Sequence, residues 1–284
     1  MARAFDIEPL DATFGAIITG VKLAALDDAV WRDLYAAWLE YALLIFPSQN
    51  LGRDEQIAFA KRFGALEFEL APISNVNSDG TLITDPDNDI LKVLKGNMGW
   101  HSDSTYMPIQ AKGAVFSARV VPKSGGSTGW ADMRAAYDAL DDNLKRKVER
   151  LAAHHSLRYS QAKLGHFPKK HSAYSGYGFH DGPEPLRPLV KTHPETGRKS
   201  LLIGRHAHNI PGMSAEESER FLQELVDFAC RPPRVYHHEW TAGDVAVWDN
   251  RCLLHQATPW DMSEPRVMWH SRIAGDPTTE SALA

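Results

Sequence analysis

His101-Ser102-Asp103 is the first feature of this sequence whose residue types and spacing could do chemistry. It lies in GNMGWHSDSTY. If that segment is extended, residues two apart face the same side, and an imidazole and a carboxylate converge on one point. Such a mixed N/O pair suits iron(II) in a two-histidine, one-carboxylate facial triad, which leaves positions open for reactants. The spacing alone carries little weight. With 13 histidines in 284 residues, composition gives about 1.6 His-x-acid pairs by chance. The chain has two others, His193/Glu195 and His237/Glu239. His193-Pro-Glu-Thr-Gly has turn composition and reads as an exposed turn. His237/Glu239 precedes a Gly-containing turn and reads as a solvated strand edge.

The C-terminal segment GDVAVWDNRCLLHQATPWDMSEPRVMWHSR gives the first motif its context. It holds His255 and then Arg266, with a turn rich in Pro and Asp between them. In the strand that follows, Arg266, Met268, His270 and Arg272 share one face, while Val267, Trp269, Ser271 and Ile273 share the other. If the polar face points inward, it buries an arginine that needs an anion. A dicarboxylate cosubstrate would supply one, gripped bidentately by the guanidinium. If it points outward, it is the exposed face of an edge strand. Both readings are open at this point.

Other elements must bring these groups together. A strand is predicted over Gly15–Val21 and a helix over Asp27–Tyr41, capped by Asp27 or Asp28. ALLIFP has the unbroken apolar run of a buried strand. Glu55–Phe63 reads as a helix closed by Gly64. Residues 71–99 mix Asn, Asp, Gly and short apolar runs, and read as strands and loops with a lid segment. Residues 113–121 read as a strand, Gly125–Gly126 as a turn, and Met133–Ala153 as helical. Residues 158–185 combine Tyr, His, Gly and Lys without periodicity, and read as a second lid or loop. Ser200–Gly204 reads as a strand. Ser214–Cys230 reads as a helix with Ser214 as cap and Glu217 three residues on. Asp244–Trp248, Cys252–His255 and Arg266–Ile273 read as the last strands. Helices among many short strands imply a single mixed α/β domain over residues 1–284, with a mainly β core of barrel or sandwich type.

Composition narrows the function classes. The net charge of -5 gives no electrostatic case for nucleic acid or an anionic membrane surface. No apolar run approaches the length of a membrane span, and MARAFDIEPL lacks the apolar region of a signal peptide. A cytoplasmic protein is expected. Cys230 and Cys252 form no CxxC unit, so neither a thiolate zinc site nor a disulfide is expected.

Taken together and in order, ALLIFPSQNL…DEQIAFAKRFG, WHSDSTY, GGSTGWADMRAAYDAL and WDNRCLLHQATPWD…PR resemble the taurine/2,4-dichlorophenoxyacetate dioxygenases, a 2-oxoglutarate-dependent family. The resemblance spans about residues 15–273. It implies a double-stranded β-helix (jelly roll) core flanked by helices. It implies Fe(II) held by His101, Asp103 and His255, with 2-oxoglutarate and O2 as cosubstrates. Arg266 and Thr128 match the pair that holds the distal carboxylate of 2-oxoglutarate; nothing in the residues alone singles out Thr128. NMGWHSDSTYMP, HSLRYSQAKLGH, RPLVKTHPETGR, SLLIGRHAHNIPGM and RVMWHSR carry a closer likeness to the aryloxyalkanoate dioxygenases. That likeness implies hydroxylation of the carbon next to an ether oxygen, giving a phenol and an oxo acid with succinate and CO2. The expected partners are a small-molecule carboxylate and a second copy of the chain, as a homo-oligomer. The same chemistry on another small acid, such as a sulfonate or a natural aromatic acid, is the alternative. His270 stands where the taurine enzymes place a substrate-binding arginine, which argues against taurine.

An aryloxy acid calls for apolar walls with a few basic or amide groups. Asn97, His270, Arg272, Arg205, His206 and His208 are the candidates. Trp100, Trp248 and Trp269 read as packing. Two rivals use other chemistry: a silent β-sandwich binding protein, and a zinc hydrolase with the same three ligands.

Overall fold

The computed structural model describes residues 4–167, 178–179 and 182–283. A seven-stranded sheet runs in the order Asp6–Pro9, Ala16–Thr19, Leu43–Phe46, Val245–Asp249, Gly113–Val120, Val267–Ile273, Leu66–Ser74. Only Ala16–Thr19 and Leu43–Phe46 pair in parallel. Side chains alternate between its faces. Leu44, Phe46, Val115, Val245 and Val247 pack on Trp38 and Leu34 of the helix Asp28–Tyr41, and on Phe59 and Ala60 of the helix Arg53–Lys61. Leu43, Ile45, Ala114, Phe116, Ala118, Ala246, Trp248 and Met268 pack the opposite way. There they meet Trp130 and Leu253 of a second sheet, ordered Val235–His238, Thr128–Asp132, Leu253–Ala257. LLIF is continuously apolar because both of its faces are buried. The chain is thus a mixed α/β protein built on several sheets.

The final strand settles the orientation left open by its sequence. Val267–Ile273 lies between Gly113–Val120 and Leu66–Ser74, so it is not an edge. Gln56 covers its other face, with Nε2 donating to the Trp269 carbonyl at 3.1 Å and to Ser271 Oγ at 3.3 Å. The Arg266, His270 and Arg272 side chains are therefore buried on the inner side. The edge-strand reading is overturned.

Several local expectations hold. Asp27 caps its helix by accepting from the N–H groups of Ala29 and Val30. Ser214 and Glu217 form a capping box on Ala215–Ala229. Others fail. Met133–Ala153 is not one helix, because Asp141 caps a fresh start: Met133–Asp138 and Asp142–Val148 are separate helices, and Ala152–His155 is a strand. Residues 71–99 contain an unexpected helix, Asp89–Gly96, capped by Asn88. Its Leu91 and Leu94 pack with Ile83 in a small cluster of their own. Both cysteines are free. Among the described residues, no helix is long and apolar enough to cross a membrane.

Candidate active site

His101 and His255 are cross-strand partners. Each N–H donates to the other's carbonyl, at 3.0 and 2.8 Å, and the rings lie 4.2 Å apart. Beyond His101 the chain turns instead of running extended, with Ser104 at φ 56°. Asn250 holds this turn. Its Oδ1 accepts from the Asp103 N–H at 2.8 Å, and its Nδ2 donates to the Asp103 carbonyl at 2.9 Å. The expected convergence of His101 and Asp103 is thus achieved by a bridge and a turn. The donor atoms of His101, Asp103 and His255 all lie within 4.8 Å of one another.

Hydrogen bonds leave these donors poised for a cation. His101 Nδ1 lies 2.7 Å from the Gly99 carbonyl, which only an N–H can satisfy, so Nε2 keeps its lone pair. Asp103 Oδ1 accepts from Arg272 Nη2 at 2.8 Å. Its Oδ2 is buried without a hydrogen-bond partner, 3.7 Å from His255 Nε2. An orphaned buried carboxylate oxygen costs free energy unless a cation meets it. Burial works to raise the Asp103 carboxyl, but Arg272, His255 and His270 hold it well below the usual carboxylate range. Burial pushes His101 well down and His255 to about 4, so both rings are neutral donors at pH 7. Two neutral imidazoles and one carboxylate fit a mid-series divalent metal.

These residues border a cavity of about 310 Å³. Arg266 borders it too, buried, with Nε donating to the Gly126 carbonyl at 3.0 Å and its guanidinium over the Trp260 ring. No carboxylate among the described residues pairs with it, and burial lowers it to about 10. Thr128 is the polar neighbour that sequence reasoning could not choose. Its Oγ1 accepts from Trp240 Nε1 at 2.9 Å, leaving the hydroxyl hydrogen to be donated.

Asn97, His270 and Arg272 also line the cavity, as does His206. Arg205 and His208 do not. Arg205 donates to the Gly96 carbonyl, behind the wall. His208 pairs with Glu184 at 3.0 Å and stacks on Tyr159. Trp248 borders the cavity, while Trp269 lies under Arg119 on the far face. Tyr106, Gln161 and Phe179, together with the apolar residues Ile73, Val93, Leu94 and Trp260, complete the wall. Their only sequence signal was membership, for most of them, of the stretches 71–99 and 158–185. Residues 168–177 and 180–181 of the latter lie outside the described residues.

The two other His-x-acid pairs diverge. His237 and Glu239 are exposed at a sheet edge, as read. His193 is not an exposed turn residue: it is buried, and its Nε2 lies 2.9 Å from Asp249 Oδ2. His193, Asp249 and Cys252 also cluster. Arg251 already occupies both Asp249 oxygens, and burial pushes the Cys252 thiol up, so this cluster is no metal site.

A β core with a buried His/Asp/His set and a carboxylate-free arginine in one cavity defines a metal-dependent oxygenase class. The chain belongs to the taurine catabolism dioxygenase TauD, TfdA family, whose pattern matches residues 6–272. It is 72% identical over 286 aligned positions, covering 100% of both chains, to an (S)-phenoxypropionate/alpha-ketoglutarate-dioxygenase of Sphingobium herbicidovorans. A protein of the same description from Delftia acidovorans is 61% identical, with 99% of each chain covered. The crystal structure of AAD-2 in complex with Mn(II) and N-oxalylglycine superposes with a TM-score of 0.89, at 38% identity and 99% coverage of each chain.

Proposed function

We propose that this chain is an iron(II)- and 2-oxoglutarate-dependent dioxygenase acting on (S)-2-aryloxypropionates. The observation that carries the reading is a single cavity holding both a cation-seeking donor set and a buried arginine with no carboxylate. Identity with the Sphingobium and Delftia enzymes over the whole length supports the substrate class.

His101, Asp103 and His255 would hold the metal. Iron bound there, with 2-oxoglutarate and O2, would supply the oxidation that hydroxylates the carbon next to the ether oxygen and converts 2-oxoglutarate to succinate and CO2. The hydroxylated ether then collapses to a phenol and an oxo acid. Arg266 grips the distal carboxylate of 2-oxoglutarate, and Thr128 donates its hydroxyl hydrogen to it. Arg272 is committed to Asp103 and orients it. Ile73, Val93, Leu94 and Trp260 give the aromatic ring an apolar wall, and Asn97 gives a polar contact beside it. The facing sheets are read as a double-stranded β-helix (jelly roll) in one domain, with the described residues of 71–99 and 158–185 bordering the cavity through Ile73, Val93, Leu94, Asn97, Gln161 and Phe179.

The test is succinate release with iron(II), 2-oxoglutarate and ascorbate, across aryloxyacetates, both phenoxypropionate enantiomers and taurine. Stimulation by the (S)-phenoxypropionate is expected to be greatest. No stimulation by any aryloxy acid would sink the substrate assignment. Iron(II) binding unchanged in His255→Ala would remove the dioxygenase reading itself.

A further inference from the structure

Two helices border the cavity from outside the sheets: Asp89–Gly96, followed by Asn97, and Leu157–Ala162. They meet at Gly96. A Cβ there would lie 2.8 Å from Arg205 Nη1 and 2.9 Å from both amide atoms of Gln161. Arg205 Nη1 donates to the Gly96 carbonyl, a last-turn acceptor that the helix cannot satisfy internally and that otherwise accepts from the Gly99 N–H at 3.2 Å. The Arg205 backbone N–H donates to the Trp100 carbonyl at 2.9 Å. Arg205 thus holds both ends of the Gly96–Trp100 strap that runs into His101. The strap's other side is pinned by the Ala257 N–H, which donates to the Asn97 carbonyl at 2.8 Å.

Such ties supplement thin apolar packing, because Leu91 and Leu94 sit in a small cluster that meets a larger core through the partly buried Ile73. Arg205 is well suited to supply one. Among the described residues it has no carboxylate partner, and its Nη2 is buried without a hydrogen bond. Burying a guanidinium this way costs free energy. Its side chain bonds to the helix end and does not line the cavity.

We propose that Arg205 is a positioning residue, which fixes the C-terminal end of the Asp89–Gly96 helix and so sets Val93, Leu94 and Asn97 in the wall that receives the substrate's ring. This deepens the aryloxypropionate reading and rests on it for the identity of the ring. It replaces direct substrate contact as the role of Arg205.

Arg205→Met keeps the apolar stem and removes the donors. Amide hydrogen exchange over residues 91–97 of the holoenzyme is expected to quicken by ~10-fold or more, with no substrate present. KM for the (S)-phenoxypropionate is expected to rise ~10-fold while kcat stays within about threefold. Iron(II) and 2-oxoglutarate affinities stay as in the unmodified protein. Arg205→Lys, whose ammonium can still donate to the Gly96 carbonyl, recovers most of both effects. Gly96→Ala, which crowds Arg205 and Gln161 without removing them, shows the same signature. Unchanged exchange over 91–97 in Arg205→Met overturns the proposal, and a KM rise without that change would assign Arg205 to the substrate itself. The exchange comparison needs no turnover. An enzyme inactive on every aryloxy acid therefore defeats the substrate reading while exchange still decides the role of Arg205. Should Arg205→Met fail to fold, Gly96→Ala and Arg205→Lys carry the test, and normal exchange and KM in Gly96→Ala overturns it.

Discussion

Arg272 divides the work of one carboxylate. Its Nη2 holds Asp103 Oδ1 at 2.8 Å and leaves Oδ2 toward His255, whose Nε2 lies 3.7 Å away. His270 flanks the same oxygen at 3.6 Å and packs on Phe68 and Trp248. Groups that orient a metal ligand in this way typically change metal affinity by about 10–100-fold when lost. Arg272→Met is therefore expected to weaken iron(II) binding within that range, measured by titration of the stripped protein; affinity equal to that of the unmodified chain would assign Arg272 elsewhere. The strand period made Arg272, His270 and Arg266 legible as one face, and His101, Asp103 and His255 were legible as ligands only through their combined context. Thr128 was not, because a threonine beside a Gly-Gly turn is chemically ordinary until Trp240 is seen to fix its oxygen. His193 was misread for a related reason. Turn composition is local, whereas its partner Asp249 lies in a distant strand.

At the scale of elements, Asp249 ends the strand Val245–Asp249 and shapes the corner that leads to the His255 strand. Its oxygens accept from Arg251 N, Nε and Nη2 and from His193. Burial acts to raise the Asp249 carboxyl, but Arg251 and then His193 hold it well below the usual range. A folded-state value below the unfolded one gives stability that is present above the ordinary carboxylate pKa and lost as pH falls toward the folded value. The unmodified protein should thus hold a steady urea midpoint from pH 8 to about 5 and lose stability below about 4. Asp249→Asn should lower stability by roughly 3 kcal/mol at pH 7 and flatten that acid slope. An unaltered slope would show that other carboxylates control acid unfolding. The elements legible in advance were those with a cap or a clear period, such as Ser214 with Glu217. Asp89–Gly96 was missed because DPDN before it has loop composition, and its apolar face meets a small cluster. The short strands of the second sheet, such as Thr128–Asp132, take their pairing from distant partners and have little period of their own.

Across the whole molecule, the candidate metal centre draws its groups from separate parts of the fold. His255 belongs to the three-stranded sheet, Asp103 to a turn held by Asn250, and the arginine behind Asp103 to the seven-stranded sheet. An ion shared by these groups binds only when all are in place, so its binding free energy adds to the stability of the fold. At free iron(II) ~100 times Kd the gain is about 2.7 kcal/mol. In a chain of this size that raises the melting temperature by roughly 4–5 °C. Chelation should remove the gain, and His255→Ala should melt at the same temperature with and without the metal. Adding 2-oxoglutarate to the metal-loaded protein should give a second rise that Arg266→Gln abolishes, because the second rise depends on the carboxylate at Arg266 and the first on the donors alone. A metal-dependent shift that survives in His255→Ala would locate the ion elsewhere in the chain. A 2-oxoglutarate shift that survives in Arg266→Gln would leave that buried guanidinium without the anion its burial demands.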